Sequence, residues 1–231
     1  MKETNKTTDE GAVRIRASRK RTNILRVPEF AALEFLCRIM PKWVSSDMLS
    51  AIGMLGSIIS AASIFCATYN RLTLLLVVPG MTLQWFGDSL DGRLAYYRNE
   101  PRKWYGWLLD MNLDWISTVL LSCAFLFYVK DHPLLAFLFM ASYGQTFMLA
   151  IMRYRITDVF LIDADSPIGP TELRIILTVS TALEYFIPGF IIWFGVAGIT
   201  VISCLNTVDF FRLLKIANAK DADELAKKDK P

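Results

Sequence analysis

Apolar residues in this chain gather into long blocks rather than short alternations. Six runs stand out, at about 47–69, 72–95, 107–129, 133–152, 171–187 and 189–211, each close to the ~20 residues a helix needs to cross a bilayer. The pattern predicts an all-α integral membrane protein with six transmembrane helices over residues 44–215. A shorter amphipathic stretch precedes them at 28–43. Pro28 suits a first helical turn and Pro41 ends the run, with Phe30, Leu33, Cys37 and Met40 near one face and Glu29, Glu34 and Arg38 elsewhere. Too short to span, it is expected to lie along the membrane as an interfacial helix, although packing on protein would produce the same pattern. Gly53, Gly56 and Ser57 predict a close helix contact in the first run. Residues 1–27 and 216–231 are polar and read as tails.

Composition agrees with a membrane class. The chain is 54% hydrophobic, above the usual share for a soluble domain. Residues 1–27 carry the cluster Arg14, Arg16, Arg19, Lys20 and Arg21 and are expected to be disordered. Such a cluster can serve a nucleic acid. Beside a membrane domain it is read as a cytoplasmic tail drawn to anionic lipid headgroups, with no nucleic-acid partner. The short loops after the first, third and fifth runs hold only Arg71 and Lys130 among the basic residues, and the tails and remaining loops hold the rest. By the positive-inside rule both termini face the cytoplasm, which in a bacterium means the inner membrane. Cys37, Cys66, Cys123 and Cys204 are scattered singly and His132 is the only histidine, so a zinc or haem site has almost no ligands.

The chemistry-bearing stretch runs from Trp85 to Thr118. Asp88 and Asp91 lie at i, i+3 near the end of the second run, and Asp110 and Asp114 at i, i+4 near the start of the third, so each pair shares a helix face. Gly106 stands one turn before Asp110 on the same stripe. A lone aspartate at a helix end is ordinarily a cap or a solvated group. Four of them bordering membrane spans, joined by a short basic loop, are too costly to keep unpaired and point to a cation. An all-oxygen set suits a hard ion, Mg²⁺ first, then Mn²⁺ or Ca²⁺. By the same positive-inside reasoning these acids face the cytoplasm.

Asp88-x-x-Asp91-Gly92-x-x-Ala95 followed by Gly106-x-x-x-Asp110-x-x-x-Asp114 resembles the signature of the CDP-alcohol phosphatidyltransferases. That signature continues with an arginine where this chain has Tyr96, with Arg98 two positions on. The resemblance implies a six-helix membrane enzyme, usually a homodimer, that transfers a substituted phosphate from a CDP-linked donor to an alcohol and releases CMP. It implies Asp88, Asp91 and Asp110 as ligands of two Mg²⁺ or Mn²⁺ ions, and Asp114 as general base that also touches a metal. Gly92, Ala95, Tyr96, Arg98 and Gly106 fall where the CDP moiety would bind. Arg93 or Arg98 is the expected substitute for the missing arginine.

A second stretch includes Arg153 and Arg155, then Glu172 and Arg174 one turn into the fifth run. Arg153 and Arg155 also satisfy the positive-inside bias on their own. Arg174 has three candidate partners: Glu172, a site acid, or a phosphate. By resemblance these four residues line the acceptor pocket. CDP-diacylglycerol with a small polar alcohol acceptor is the first expectation, and a CDP-choline or CDP-ethanolamine donor with a diacylglycerol-like acceptor the second. A non-enzymatic ion or lipid transporter is a third, disfavoured because the acids gather at one membrane face.

Overall fold

The computed structural model describes residues 26–157 and 170–228, and every regular element among them is helical. Residues 1–25 of the expected N-terminal tail and 158–169 of the 153–174 stretch lie outside the described residues, and Arg26 and Val27 of that tail begin the first helix. In chain order the helices are α1 (Arg26–Ile39), α2 (Ser46–Cys66), a 3₁₀ turn (Arg71–Leu76) leading into α3 (Val77–Tyr97), α4 (Lys103–Tyr128), α5 (Pro133–Thr157), α6 (Pro170–Phe186) and α7 (Phe190–Lys228). Each of the six apolar runs became a helix.

Local chemistry sets the ends. Ser45 caps α2, its side chain accepting from Met48 N at 3.1 Å, and Asn70 caps the 3₁₀ turn through Leu72 N at 3.0 Å. Helix α3 stops in a Schellman turn: Asn99 adopts a left-handed φ of 62°, Asn99 N–H reaches Tyr96 O, and Glu100 N–H reaches Ala95 O. Pro101 then forbids continuation. That sharp stop lets α4 return beside α3 after only a few residues.

Four helices, α2, α4, α5 and α7, are long and apolar enough to cross a membrane. The second and fifth predicted spans fall short for different reasons. Helix α3 carries Asp88, Asp91 and Arg93 in its C-terminal half, and α6 has 17 residues, about 25 Å at 1.5 Å per residue against a ~30 Å hydrocarbon layer. Helix α7 has 39 residues and, where a polar tail was expected from 216, continues helical through Lys228.

Beside its buried apolar clusters, the bundle buries many small polar residues and exposes many large apolar ones. Buried positions include Ser57, Ser60, Ser63, Ser122 and Ser142, whereas Leu55, Ile58, Trp193, Val201 and Leu205 point outward. Small residues inside and large apolar residues outside suit a hydrocarbon solvent, where close backbone approach rather than water exclusion holds helices together. Helices α2 and α3 form the tightest pair. A Cβ on Gly56 would stand 2.3 Å from Gln84 N, and one on Gly87 2.2 Å from Gly53 N. The expected contact of Gly53, Gly56 and Ser57 is therefore real, and its other half is Gly80 and Gly87. Around this pair, α4 packs on α2, α6 on α3, and α5 and α7 pack together.

The amphipathic face of α1 serves the protein. Leu33 and Cys37 are buried against Leu49, Leu90 and Leu94, with Phe30 and Met40 alongside. The exposed apolar residues Phe35, Ile39 and Trp43 are different ones. A buried ion pair, Arg93 to Glu29 at 3.2 Å, ties α1 to α3 just after Gly92.

Candidate functional site

The four aspartates meet where the C-terminal end of α3 faces the N-terminal part of α4. Carboxylate oxygens of Asp88, Asp110 and Asp114 all lie within 4.8 Å of one another. Asp91 lines the same cleft but is held from the other side. Its Oδ2 accepts from Ser50 Oγ at 2.6 Å, and its backbone carbonyl accepts from Ser46 Oγ at 2.5 Å. Helix α2 thus takes part in the site, and neither serine stood out in the sequence. Their i, i+4 spacing on the first turns of α2 was the available signal.

Arg174 reaches in from α6. Its Nη2 donates to Asp88 Oδ2 at 2.6 Å and stands 3.9 Å from Asp114 Oδ1. Of the partners open to it from the sequence, the site acids are in contact with it. A cationic group already sits where the carboxylates need one. That guanidinium lowers the cost of gathering three acids in a poorly solvated gap.

The cleft is bounded by Ser50, Gly53, Gln84, Leu113 and Ser117 besides the acids. It measures about 10 Å³, close to the smallest space that accommodates one water. The donor set is wholly oxygen and anionic, and the Arg174 guanidinium beside it offsets only part of its charge, so the residues present fit a hard divalent metal.

The remaining expected site residues divide. Gly106 is exposed on the first turns of α4, and a Cβ there would meet nothing within 4 Å, so this glycine serves no packing purpose. Gly92 and Ala95 are half-buried on α3. Tyr96 packs against the cluster that seats α1. Both candidate substitutes for the family arginine are engaged elsewhere. Arg98 donates to Val44 O at 2.5 Å and Pro41 O at 2.8 Å, and Arg93 is buried on Glu29 and Ser89 O. Arg153 pairs with Asp209 of α7 at 3.1 Å, Arg155 is exposed, and Glu172 is buried at the start of α6. Of the four expected acceptor residues, only Arg174 contacts the aspartates in the ion pairs observed.

A roomier cavity of about 350 Å³ opens at the other end of the bundle, lined by Arg71, Tyr128, His132, Glu184 and Ile191. It lies some 17 residues along α2 from Ser50, about 25 Å. Size alone would favour it, but its buried acid has a structural task. Glu184 accepts from Tyr128 OH (3.0 Å), Gly189 N (3.0 Å) and Ile191 N (2.9 Å), closing the turn into α7. Sequence reasoning missed Glu184 because the partners are brought together only by the turn at Gly189, whose φ is +86°.

The fold and site define an all-helical protein with several membrane-length apolar helices and a cleft of carboxylates shared by two of its helices. No protein-family model matches the chain, and no curated protein matches it either.

Proposed function

We propose that the chain is a metal-dependent CDP-alcohol phosphotransferase of phospholipid head-group synthesis. The supporting observation is the convergence of Asp88, Asp110 and Asp114 from two consecutive helices, with Asp91 anchored beside them at the spacing of the CDP-alcohol phosphatidyltransferase signature. In this proposal α3 and α6 complete a set of six spans, their polar ends at the cytoplasmic boundary. Both termini then lie on the cytoplasmic side with the acids, where CDP-linked substrates are made. The donor is CDP-diacylglycerol and the acceptor a small polar alcohol. The homodimer implied by the resemblance belongs to the same proposal.

Asp88, Asp91, Asp110 and Asp114 would hold Mg²⁺ or Mn²⁺, two ions in the form the signature implies. Bound there, the metal supplies charge neutralisation for the diphosphate and its leaving group. The chain's own residues do the rest. Ser46 and Ser50 fix Asp91, so the carboxylate keeps one rotamer. Asp114 accepts the proton of the acceptor hydroxyl as its oxygen bonds to the lipid-bearing phosphorus. The bond from that phosphorus to the bridging oxygen breaks, and CMP leaves with the electron pair. Arg174, 3.9 Å from Asp114, orients that carboxylate and faces the developing negative charge.

The test is CMP release from radiolabelled CDP-diacylglycerol by purified protein with Mg²⁺ and a panel of polar alcohols. Lipid product and CMP in equal amounts are expected, with loss of turnover in Asp91→Ala. Activity only with CDP-aminoalcohols and diacylglycerol would reject the donor assignment. Full turnover in Asp91→Ala would reject the shared site.

A further inference from the structure

Gln84 lies one helical turn before Asp88 on α3, on the same stripe. It is 93% buried in the sense that 7% of its surface is exposed, and it lines the carboxylate cleft. Its side-chain oxygen is buried and has no hydrogen-bond partner. An unpaired amide oxygen in such a place is costly, and the cleft it lines is dominated by carboxylates, which offer it no proton. The backbone around it cannot relieve this by moving. Gly56 on α2 packs so tightly on Gln84 N that even a methyl group would not fit. The position is thus held, polar, desolvated and unsatisfied.

A divalent cation satisfies an amide carbonyl and several carboxylates at once, and unlike a water it also offsets their charge. Amide oxygens are ordinary ligands of hard divalent ions, alongside carboxylates. We propose that Gln84 supplies a neutral oxygen ligand to the divalent cation held by the aspartates. This inference rests on the metal site of the proposed function and extends it to a residue that the signature does not contain. A neutral ligand adds coordination without adding further negative charge to a crowded set of acids. It tunes affinity by geometry rather than by charge.

The inference is tested by Mn²⁺ binding to the full chain in detergent, followed by electron paramagnetic resonance in the absence of nucleotide. Wild type, Gln84→Leu, Gln84→Glu and Asp110→Asn are compared, with thermal unfolding of each in chelator as a check on folding. Gln84→Leu should weaken Mn²⁺ binding about 10–100-fold while its unfolding temperature in chelator stays level or rises, because an unpaired oxygen has been removed. Gln84→Glu should bind Mn²⁺ at least as tightly as wild type, since a carboxylate ligates through the same atom type. If the Gln84 amide instead donates to a carboxylate, Gln84→Glu weakens binding by repulsion and Gln84→Leu leaves it near wild type. That result would overturn the inference while leaving the aspartate site standing. Absence of Mn²⁺ binding by the wild type, with Asp110→Asn indistinguishable from it, would overturn both.

Discussion

Replacing Gly87 with alanine should force apart the two helices that frame the site. A Cβ at this position would lie 2.2 Å from Gly53 N, 2.4 Å from Leu49 O and 2.6 Å from Gly53 Cα. Ordinary contact begins near 3.4 Å, so α2 and α3 must separate by about an ångström, because every atom met is backbone and has no rotamer to turn away. Overpacking of this kind costs about 1–3 kcal/mol, and the better helix propensity of alanine offsets at most about 1 kcal/mol of it. Asp88 follows directly in the chain, and Asp91 is gripped by Ser46 and Ser50 of α2. A shift of ~1 Å at reacting groups can lower turnover about 100-fold. Gly87→Ala is therefore expected to unfold at a lower temperature in detergent and, under the proposed activity, to release CMP about 100-fold more slowly. Gly56→Ala, with its nearest atom at 2.3 Å, should behave alike, and Gly53→Ala, with its nearest at 3.1 Å, should be milder. Gly198→Ala on α7 meets nothing within 4 Å and should be neutral or slightly stabilising. Equal unfolding temperatures and equal turnover for Gly87→Ala and Gly198→Ala would refute the close crossing.

Three further outcomes follow from particular contacts. Arg174→Met leaves Asp88 and Asp114 without their guanidinium; in chelator it should unfold about 3 kcal/mol more easily, the low end for breaking a buried pair. Added Mg²⁺ should restore more stability to this variant than to wild type, and an equal response in both would show that Arg174 does not share the cation's position. Glu184→Ala strands Tyr128 OH and two backbone N–H groups at the turn into α7; a loss of about 1–3 kcal/mol is expected, read as a lower unfolding temperature with Mn²⁺ affinity at the distant cleft unchanged. Burial pushes the Cys37 thiol from 9.0 up to about 11. Its folded pKa is raised, so the stability it contributes is full below about 9 and lost as pH climbs towards 11. Wild type should consequently lose more stability than Cys37→Ala between pH 9 and pH 11 in thermal unfolding, and parallel curves would count against a buried neutral thiol.

Much of the helical framework was legible in the sequence, because helix formation and length depend on neighbours a few residues away. The six apolar runs and the stripes carrying Asp88 with Asp91 and Asp110 with Asp114 follow from local period and composition. Even Gln84 was within reach, one turn from Asp88 on a visible stripe. Rotation and partnership were not. Helical spacing says which residues share a face but not what that face will meet, and the meeting residues are far apart in the chain. Ser50 grips Asp91 across 41 positions and Arg174 finds Asp88 across 86. Only the glycine-lined crossing of α2 and α3 brings Ser46 and Ser50 to Asp91. Only the packed arrangement commits Arg98 to the carbonyls of Pro41 and Val44, and the apolar face of α1 to protein rather than to lipid. Local spacing therefore determined the elements and the acids they carry, and packing between distant segments decided which acids share a cleft and what balances their charge.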